Sequence, residues 1–454
     1  MRTLWAKTAL LPDGWAKDVR LEIAADGRIA SVKPGSPAGD TRLDILLPAP
    51  ANLHSHGFQR AMAGLSERRS GPDGDSFWTW RQLMYRFLQR LTPDHVQAIT
   101  AFAQMEMLEA GFASVGEFHP LHQQPRGAPY DARAEMSARI LAAAAETGIG
   151  LTLLPVLYQT GGCDGRAVAP GQDRFFNDPD RYARLLSDAE TALAGAWPDT
   201  ALGLAPHSLR AVPPGSLAAV QDMARDRPVH IHVAEQTAEV EEVLRHHGAR
   251  PVEWLFANAE VDRTWCLIHA TQMQPHETAQ LARSGAVAGL CPITEANLGD
   301  GIFDGRAYHA AGGRWGVGTD SNVLISLAEE LRLLEYGQRL RERGRAVLAG
   351  AAASTGRTLF DMAVSGGAQA AGRGPGGLQT GAWADLLALD GGNVALEGHG
   401  DDTILDGFIF AGGAGAIRDV WSAGRHVVTE ARHVARDAIA AAYRSAVGEI
   451  RNAL

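Results

Sequence analysis

Apolar residues in this chain alternate between two textures. Short aliphatic runs at 111–119, 149–157, 201–207, 228–235, 264–270, 286–292 and 315–320 are bounded by Gly, Pro or polar residues, as buried strands are. Between them, 94–110, 131–147, 179–194, 215–226, 237–247 and 275–284 place apolar residues at helical spacing. Strand–helix alternation repeated about eight times predicts an α/β fold of the (β/α)8 TIM-barrel type, with its reactive rim at the C-terminal strand ends. A doubly wound open sheet shares the alternation. Against it, no strand leads into G-x-G-x-x-G at a helix start, and G-R-G-P-G-G at 372–377 follows a helix and reads as a linker.

The two chain ends are patterned differently. R-L-E-I-A-A-D-G-R-I-A-S-V sets an Asp-Gly turn between alternating segments, a hairpin signal, and 382–390 and 419–428 return to strand pattern. The expected organisation is a small β-sandwich domain from 1–48 plus 375–430, a barrel over 49–374, and a helix over 431–454. In that helix Ile439, Tyr443, Val447, Ile450 and Leu454 recur every three or four residues.

Composition narrows the function classes. At 454 residues the chain exceeds what one core usually serves, consistent with a large and a small domain. A net charge of −10 argues against nucleic acid and anionic membranes, both of which reward a basic face. No run approaches the ~18 apolar residues of a membrane span, and the N-terminal apolar stretch is broken by Lys7 and stopped by Pro12, so no signal peptide is read. Cys163, Cys266 and Cys291 are far apart, which speaks against a disulfide framework or a cysteine zinc module. The reducing cytoplasm is the expected compartment.

Polar residues then fall where a barrel would use them. His54 and His56 end an apolar run, and i and i+2 on a strand face the same side. His232, His269 and Asp320 each close a later run. A single strand-end histidine is ordinarily a hydrogen-bonded structural residue. Five convergent polar side chains are not accounted for that way. Imidazoles with a carboxylate suit Zn²⁺, leaving a position for water, and Fe²⁺ or Mn²⁺ would accept the same donors. Glu235, three residues past His232, is the carboxylate placed for proton transfer. His230 lies deeper and reads as barrel interior, His246 and His247 end a helix, and His276 opens one.

These residues carry a resemblance. H-S-H, H-V-A-E, H-A and G-T-D at successive strand ends resemble the amidohydrolase superfamily across essentially the whole chain. Two-metal members commonly bridge their ions with a carbamylated lysine on the fourth strand. Here the only lysines are Lys7, Lys17 and Lys33, which points to the mononuclear deaminase-like branch. Within it, L-H-S-H-G-F-Q-R-A-M-A-G, F-W-T-W-R-Q-L-M-Y, A-P-H-S-L-R-A-V and C-P-I-T-E-A-N-L-G-D-G-I-F resemble the formimidoylglutamate deiminases.

The resemblance implies metal ligands His54, His56, His232 and Asp320, with proton transfer by Glu235, His269 and Asp320. It also implies substrate binding by Gln59, Arg81, His207 and Arg210, a dicarboxylate small-molecule substrate and a homodimer. The two arginines agree with that substrate, since a guanidinium fork matches a carboxylate. One departure is Pro120, where the family usually has a tyrosine thought to help hold a substrate carboxylate; His122 is the nearby candidate to replace it. Two rivals remain: a mononuclear deaminase of a purine, pyrimidine or s-triazine ring, and a non-catalytic binding protein on the same barrel.

Overall fold

In a computed structural model of the chain, residues 1–39, 41–67 and 75–452 are described, so Leu454 lies outside the described residues. The chain ends supply β1 (Arg2–Leu11), β2 (Gly14–Ile23), β3 (Ile29–Lys33) and β4 (Arg42–Pro48). The barrel strands are β5 (Ala51–Ser55), β6 (Ser114–His119), β7 (Gly150–Leu157), β8 (Ala201–Leu202), β9 (Ala205–Pro206), β10 (Val229–Val233), β11 (Trp265–His269), β12 (Val287–Leu290) and β13 (Arg314–Val317). The chain then returns as β14 (Leu386–Leu389), β15 (Ile417–Ser422), β16 (Arg425–Thr429) and β17 (Arg432–His433). The expected small β domain takes the form of one eight-stranded sheet, β17-β16-β15-β14-β4-β1-β2-β3, in which β14 from the far end pairs antiparallel with β4. Leu4, Val19, Leu21, Leu43, Leu46, Leu386 and Trp421 form its core.

Strands β5 to β9 and β10 to β13 form two parallel arrays. Bridges Leu204–Val229, Ser208–His232 and Ser55–Asp320 join them into a closed ring. The fourth barrel strand, expected to run unbroken over 201–207, is instead split into β8 and β9 around Gly203. Here Leu154 and the Pro228 carbonyl come so close that a Cβ would meet them at 2.6 and 2.7 Å, so only glycine fits. Leu53, Cys266, Ile268 and Val287 fill the interior, with His230 beneath them hydrogen-bonded to the Ala370 carbonyl at 2.8 Å.

Outer helices at Pro93–Glu109, Glu135–Thr147, Pro179–Leu193, Pro214–Ala224, Thr237–His247 and Pro275–Ser284 match the periodic segments. Phe77–Leu88 is a further helix, started by a capping box between Ser76 and Thr79, that buries Phe77, Met84, Phe87 and Leu88. At the N-terminal end of the barrel, buried Asp199 receives Arg425 of β16 at 2.9 and 2.8 Å and Arg373 at 3.2 Å. Arg373 in turn holds Asp385 at 2.9 Å, so a network of two arginines and two carboxylates ties the small sheet to the barrel. The terminal helix Arg436–Asn452 packs on Pro93–Glu109, with Tyr443 stacked on Phe102 at 4.0 Å between ring centroids.

Candidate active site

Strand ends gather the histidines at one rim. His54 is the penultimate residue of β5 and His56 the first beyond it. Asp320 lies past β13, its backbone exchanging hydrogen bonds with His54 and His56 at 2.9 Å each. His54 Nε2 is 3.1 Å from His232 Nε2, and the Nε2 atoms of His54 and His56 are each 3.4 Å from Asp320 Oδ1.

Backbone carbonyls fix two of the tautomers. His56 Nδ1 faces the Phe118 carbonyl at 2.7 Å and His232 Nδ1 faces that of His207 at 3.1 Å. A carbonyl only accepts, so each Nδ1 carries the proton and each Nε2 presents a bare lone pair. Lone pairs converging on a carboxylate about 3 Å away repel unless a cation lies among them. The donor set therefore fits a divalent metal ion, with the carbonyls as the outer partners that metal-bound histidines require. Burial also keeps protons off these rings, pushing His54 down to about 3 and His56 and His232 below the ordinary imidazole range.

The rim backbone is strained at these positions. Ala234, His269, Ala270, Asp320 and Asn322 all have positive φ, from 44° to 70°. Asn322 helps hold that shape: its Nδ2 donates to Ser55 Oγ and to the carbonyls of His56 and Asp320 at 3.1 Å, and its Oδ1 accepts from Thr319 at 2.6 Å. Buried Glu239 receives the backbone N–H groups of Ala234 and Glu235 at 3.2 and 3.1 Å, aiming Glu235 at the site.

His269 stands between carboxylates. Its Nε2 is 3.6 Å from Glu235 and 3.9 Å from Asp320, and its Nδ1 is 3.3 Å from Glu295. Burial alone would lower this imidazole, but Glu235, Glu295 and Asp320 together push it up to about 10. Burial raises the Glu235 carboxyl, against the pull of His269 and Arg210. Both groups are thus displaced from their ordinary ranges while facing each other in a buried cleft, the pattern of an acid/base pair.

A cleft of about 570 Å³ opens over this rim, lined by all four residues whose substrate role the sequence implied. Arg210 Nη2 lies 3.7 Å from Glu235, while its Nε and Nη1 are buried without a hydrogen-bond partner. Gln59 has an unpartnered buried Oε1, and His207 lies edge-on to Tyr158. Arg81 projects from the helix Phe77–Leu88, with Nε 2.5 Å from the Tyr85 hydroxyl and Nη2 2.8 Å from that of Tyr158. Pro120 lines the cleft. His122 is not among the lining residues, and its Nε2 engages the Val156 carbonyl at 2.9 Å, so the role suggested for it is withdrawn.

Sequence reasoning did not assign Asn322, Glu239, Glu295, Tyr85 or Tyr158. Tyr85 and Glu295 lie inside the quoted F-W-T-W-R-Q-L-M-Y and C-P-I-T-E-A-N-L-G-D-G-I-F, and Asn322 stands two residues past G-T-D; that placement was the available signal.

The Amidohydrolase family model matches residues 45–427, and "Formimidoylglutamate deiminase HutF, N-terminal domain" matches residues 1–43. The chain is 49% identical over 99% of its length, and 100% of the relative's, to a formimidoylglutamate deiminase of Pseudomonas aeruginosa. A solved amidohydrolase from Brucella melitensis superposes with a TM-score of 0.95 at 50% identity, covering 99% of this chain and 100% of that one. An adenosine deaminase from Xanthomonas campestris, solved with bound zinc, shares the fold at a TM-score of 0.81 and 21% identity, covering 99% and 98% of the two chains.

Proposed function

The chain belongs to the amidohydrolase family, and on that premise we propose that its site hydrolyses N-formimino-L-glutamate to N-formyl-L-glutamate and ammonia, in histidine degradation. The observation that carries this reading is the pair of arginines over the rim. Arg210 holds two buried N–H groups without a hydrogen-bond partner, and Arg81 has a free Nη1 among the described residues. Two separated guanidinium groups match two carboxylates on one substrate. A second reading, deamination of a purine, pyrimidine or s-triazine ring, draws on the aromatic walls Phe77, Trp80 and Phe175 but leaves both arginines unmatched.

We assign one Zn²⁺ to His54, His56, His232 and Asp320, with Fe²⁺ or Mn²⁺ as alternatives for the same donors. When bound, the ion supplies hydroxide at neutral pH by lowering the pKa of water toward about 7. Gln59, Arg81, His207 and Arg210 orient the substrate so that its formimino carbon faces the rim. His269 and Glu235, 3.6 Å apart, move protons between the attacking water and the departing nitrogen, which leaves as ammonia. Asp320, beside His269 at 3.9 Å, stabilises the protonated imidazole during that exchange. We further propose a homodimer in the cytoplasm, to be checked by sedimentation and by fractionation. Among the described residues no helix is long and apolar enough to cross a membrane.

Ammonia release from N-formimino-L-glutamate, guanine, cytosine and S-adenosylhomocysteine tests the substrate assignment. Release from the first alone supports it, and release from a ring alone overturns it.

A further inference from the structure

Around Arg81, hydrogen-bond donors outnumber the acceptors that meet them among the described residues. Its Nε and Nη2 are engaged by the hydroxyl oxygens of Tyr85 and Tyr158, and no carboxylate hydrogen-bonds its guanidinium among the described residues. Tyr158 also accepts from Gln172 Nε2 at 2.6 Å, so two N–H groups fill its oxygen while its own O–H has no acceptor there. The carbonyl oxygen of Gln172 accepts the Ala169 N–H at 2.8 Å and receives no hydrogen bond from the Tyr158 hydroxyl. Among the described residues, Arg81 Nη1 and the O–H groups of Tyr85 and Tyr158 are thus three donors with no hydrogen-bonded acceptor, around a largely buried cation that feels the Glu235 carboxylate but is hydrogen-bonded by none. Tyr85 and Arg81 line the cleft, while Tyr158 stands behind them with its ring edge-on to His207 at 4.6 Å. Burial pushes the Tyr85 phenol up to about 12, so it remains a donor at neutral pH.

We propose that Tyr85 is a specificity-determining residue, donating its O–H beside Arg81 to the side-chain carboxylate of the substrate, and that Tyr158 is a positioning residue that aims Arg81 and His207. This inference rests on the dicarboxylate reading above. The side-chain carboxylate is assigned here because Arg210, 3.7 Å from Glu235, serves the carboxylate nearest the reacting carbon. Arg81 stands on the opposing helix among Tyr85, Tyr158 and Phe175. A neutral donor beside the cation adds directionality that a guanidinium alone lacks.

The test compares wild type with Tyr85→Phe on two substrates, N-formimino-L-glutamate and N-formimino-L-2-aminobutyrate, which lacks the side-chain carboxylate. Loss of one hydrogen bond to a charged group predicts a KM for the diacid raised about tenfold or more, with kcat within about threefold. On the monoacid the variant should match wild type. Tyr158→Phe should raise the diacid KM by a smaller factor, and thermal melting with metal content establishes that each variant is folded. An unchanged diacid KM, or an equal loss on both substrates, overturns the proposal. If wild type releases no ammonia from the diacid at all, the dicarboxylate reading itself fails, an outcome distinct from either of these.

Discussion

Replacing Arg210 with methionine keeps the aliphatic stem and removes the guanidinium. Arg210 is 6% exposed; among the described residues its Nε and Nη1 have no hydrogen-bond partner, Nε lying 4.0 Å from Glu239, and on the proposed reading the substrate carboxylate is what they bind. A charge-assisted hydrogen bond contributes about 1.5–3 kcal/mol, so the two together contribute about 3–6 kcal/mol. At 1.36 kcal/mol per tenfold, kcat/KM for N-formimino-L-glutamate should fall by about 10²–10⁴. Arg210→Lys keeps the charge but not the planar fork, and should recover only part of that loss. The loss of the cation also leaves Glu235 without its neighbour at 3.7 Å, so part of the fall should appear in kcat as well as KM. Steady-state kinetics with metal content measured on the same sample reads this out. A kcat/KM within tenfold of wild type, with metal retained, would refute the assignment of Arg210 to a substrate carboxylate.

Alanine at His269 or Glu235 should lower kcat by about 10²–10⁴ with metal still bound; near-normal turnover removes the assigned role. Asn322→Ala removes the amide that pins His56 and Asp320, and should weaken metal affinity about 10–100-fold in chelator competition. Asp199→Ala leaves Arg373 and Arg425 without their shared carboxylate, and should cost about 3–5 kcal/mol in urea unfolding. Burial alone would raise the Asp199 carboxyl, but Arg425 and Arg373 outweigh it and hold it below the usual range. Its folded pKa being depressed, the stabilisation is present above the unfolded pKa and is lost as pH falls through the folded one, so the gap between wild type and variant should close on acidification.

The barrel was readable because its signals are local. Each of the β6, β7, β10, β11, β12 and β13 runs buries a short aliphatic stretch, and His232 and His269 stand at the C-terminal ends of β10 and β11. A strand-end position therefore carried both the fold and the rim. What escaped depends on pairs distant in sequence. Asn322 acquires its role only when Ser55 and His56 come back to meet it, and Tyr158 becomes relevant only through Arg81, 77 residues earlier. The break at Gly203 is set by Pro228 and Leu154 pressing on one backbone position, a constraint that no hydrophobic pattern records. His122 misled because proximity in sequence put it near the cleft, while its ring turns to the Val156 carbonyl. The helix Phe77–Leu88 was visible as a motif, and its place as a wall of the cleft came only from packing.

On the proposed reading, one metal ion held by His54, His56, His232 and Asp320 serves a site that deiminates a dicarboxylate. Titrating metal-free protein with Zn²⁺, while following conversion of N-formimino-L-glutamate to N-formyl-L-glutamate and ammonia, tests it most directly. Activity should climb to a plateau at one equivalent per chain, with the two products formed in equal amounts. A plateau only at two equivalents, or no conversion at any loading, would contradict it.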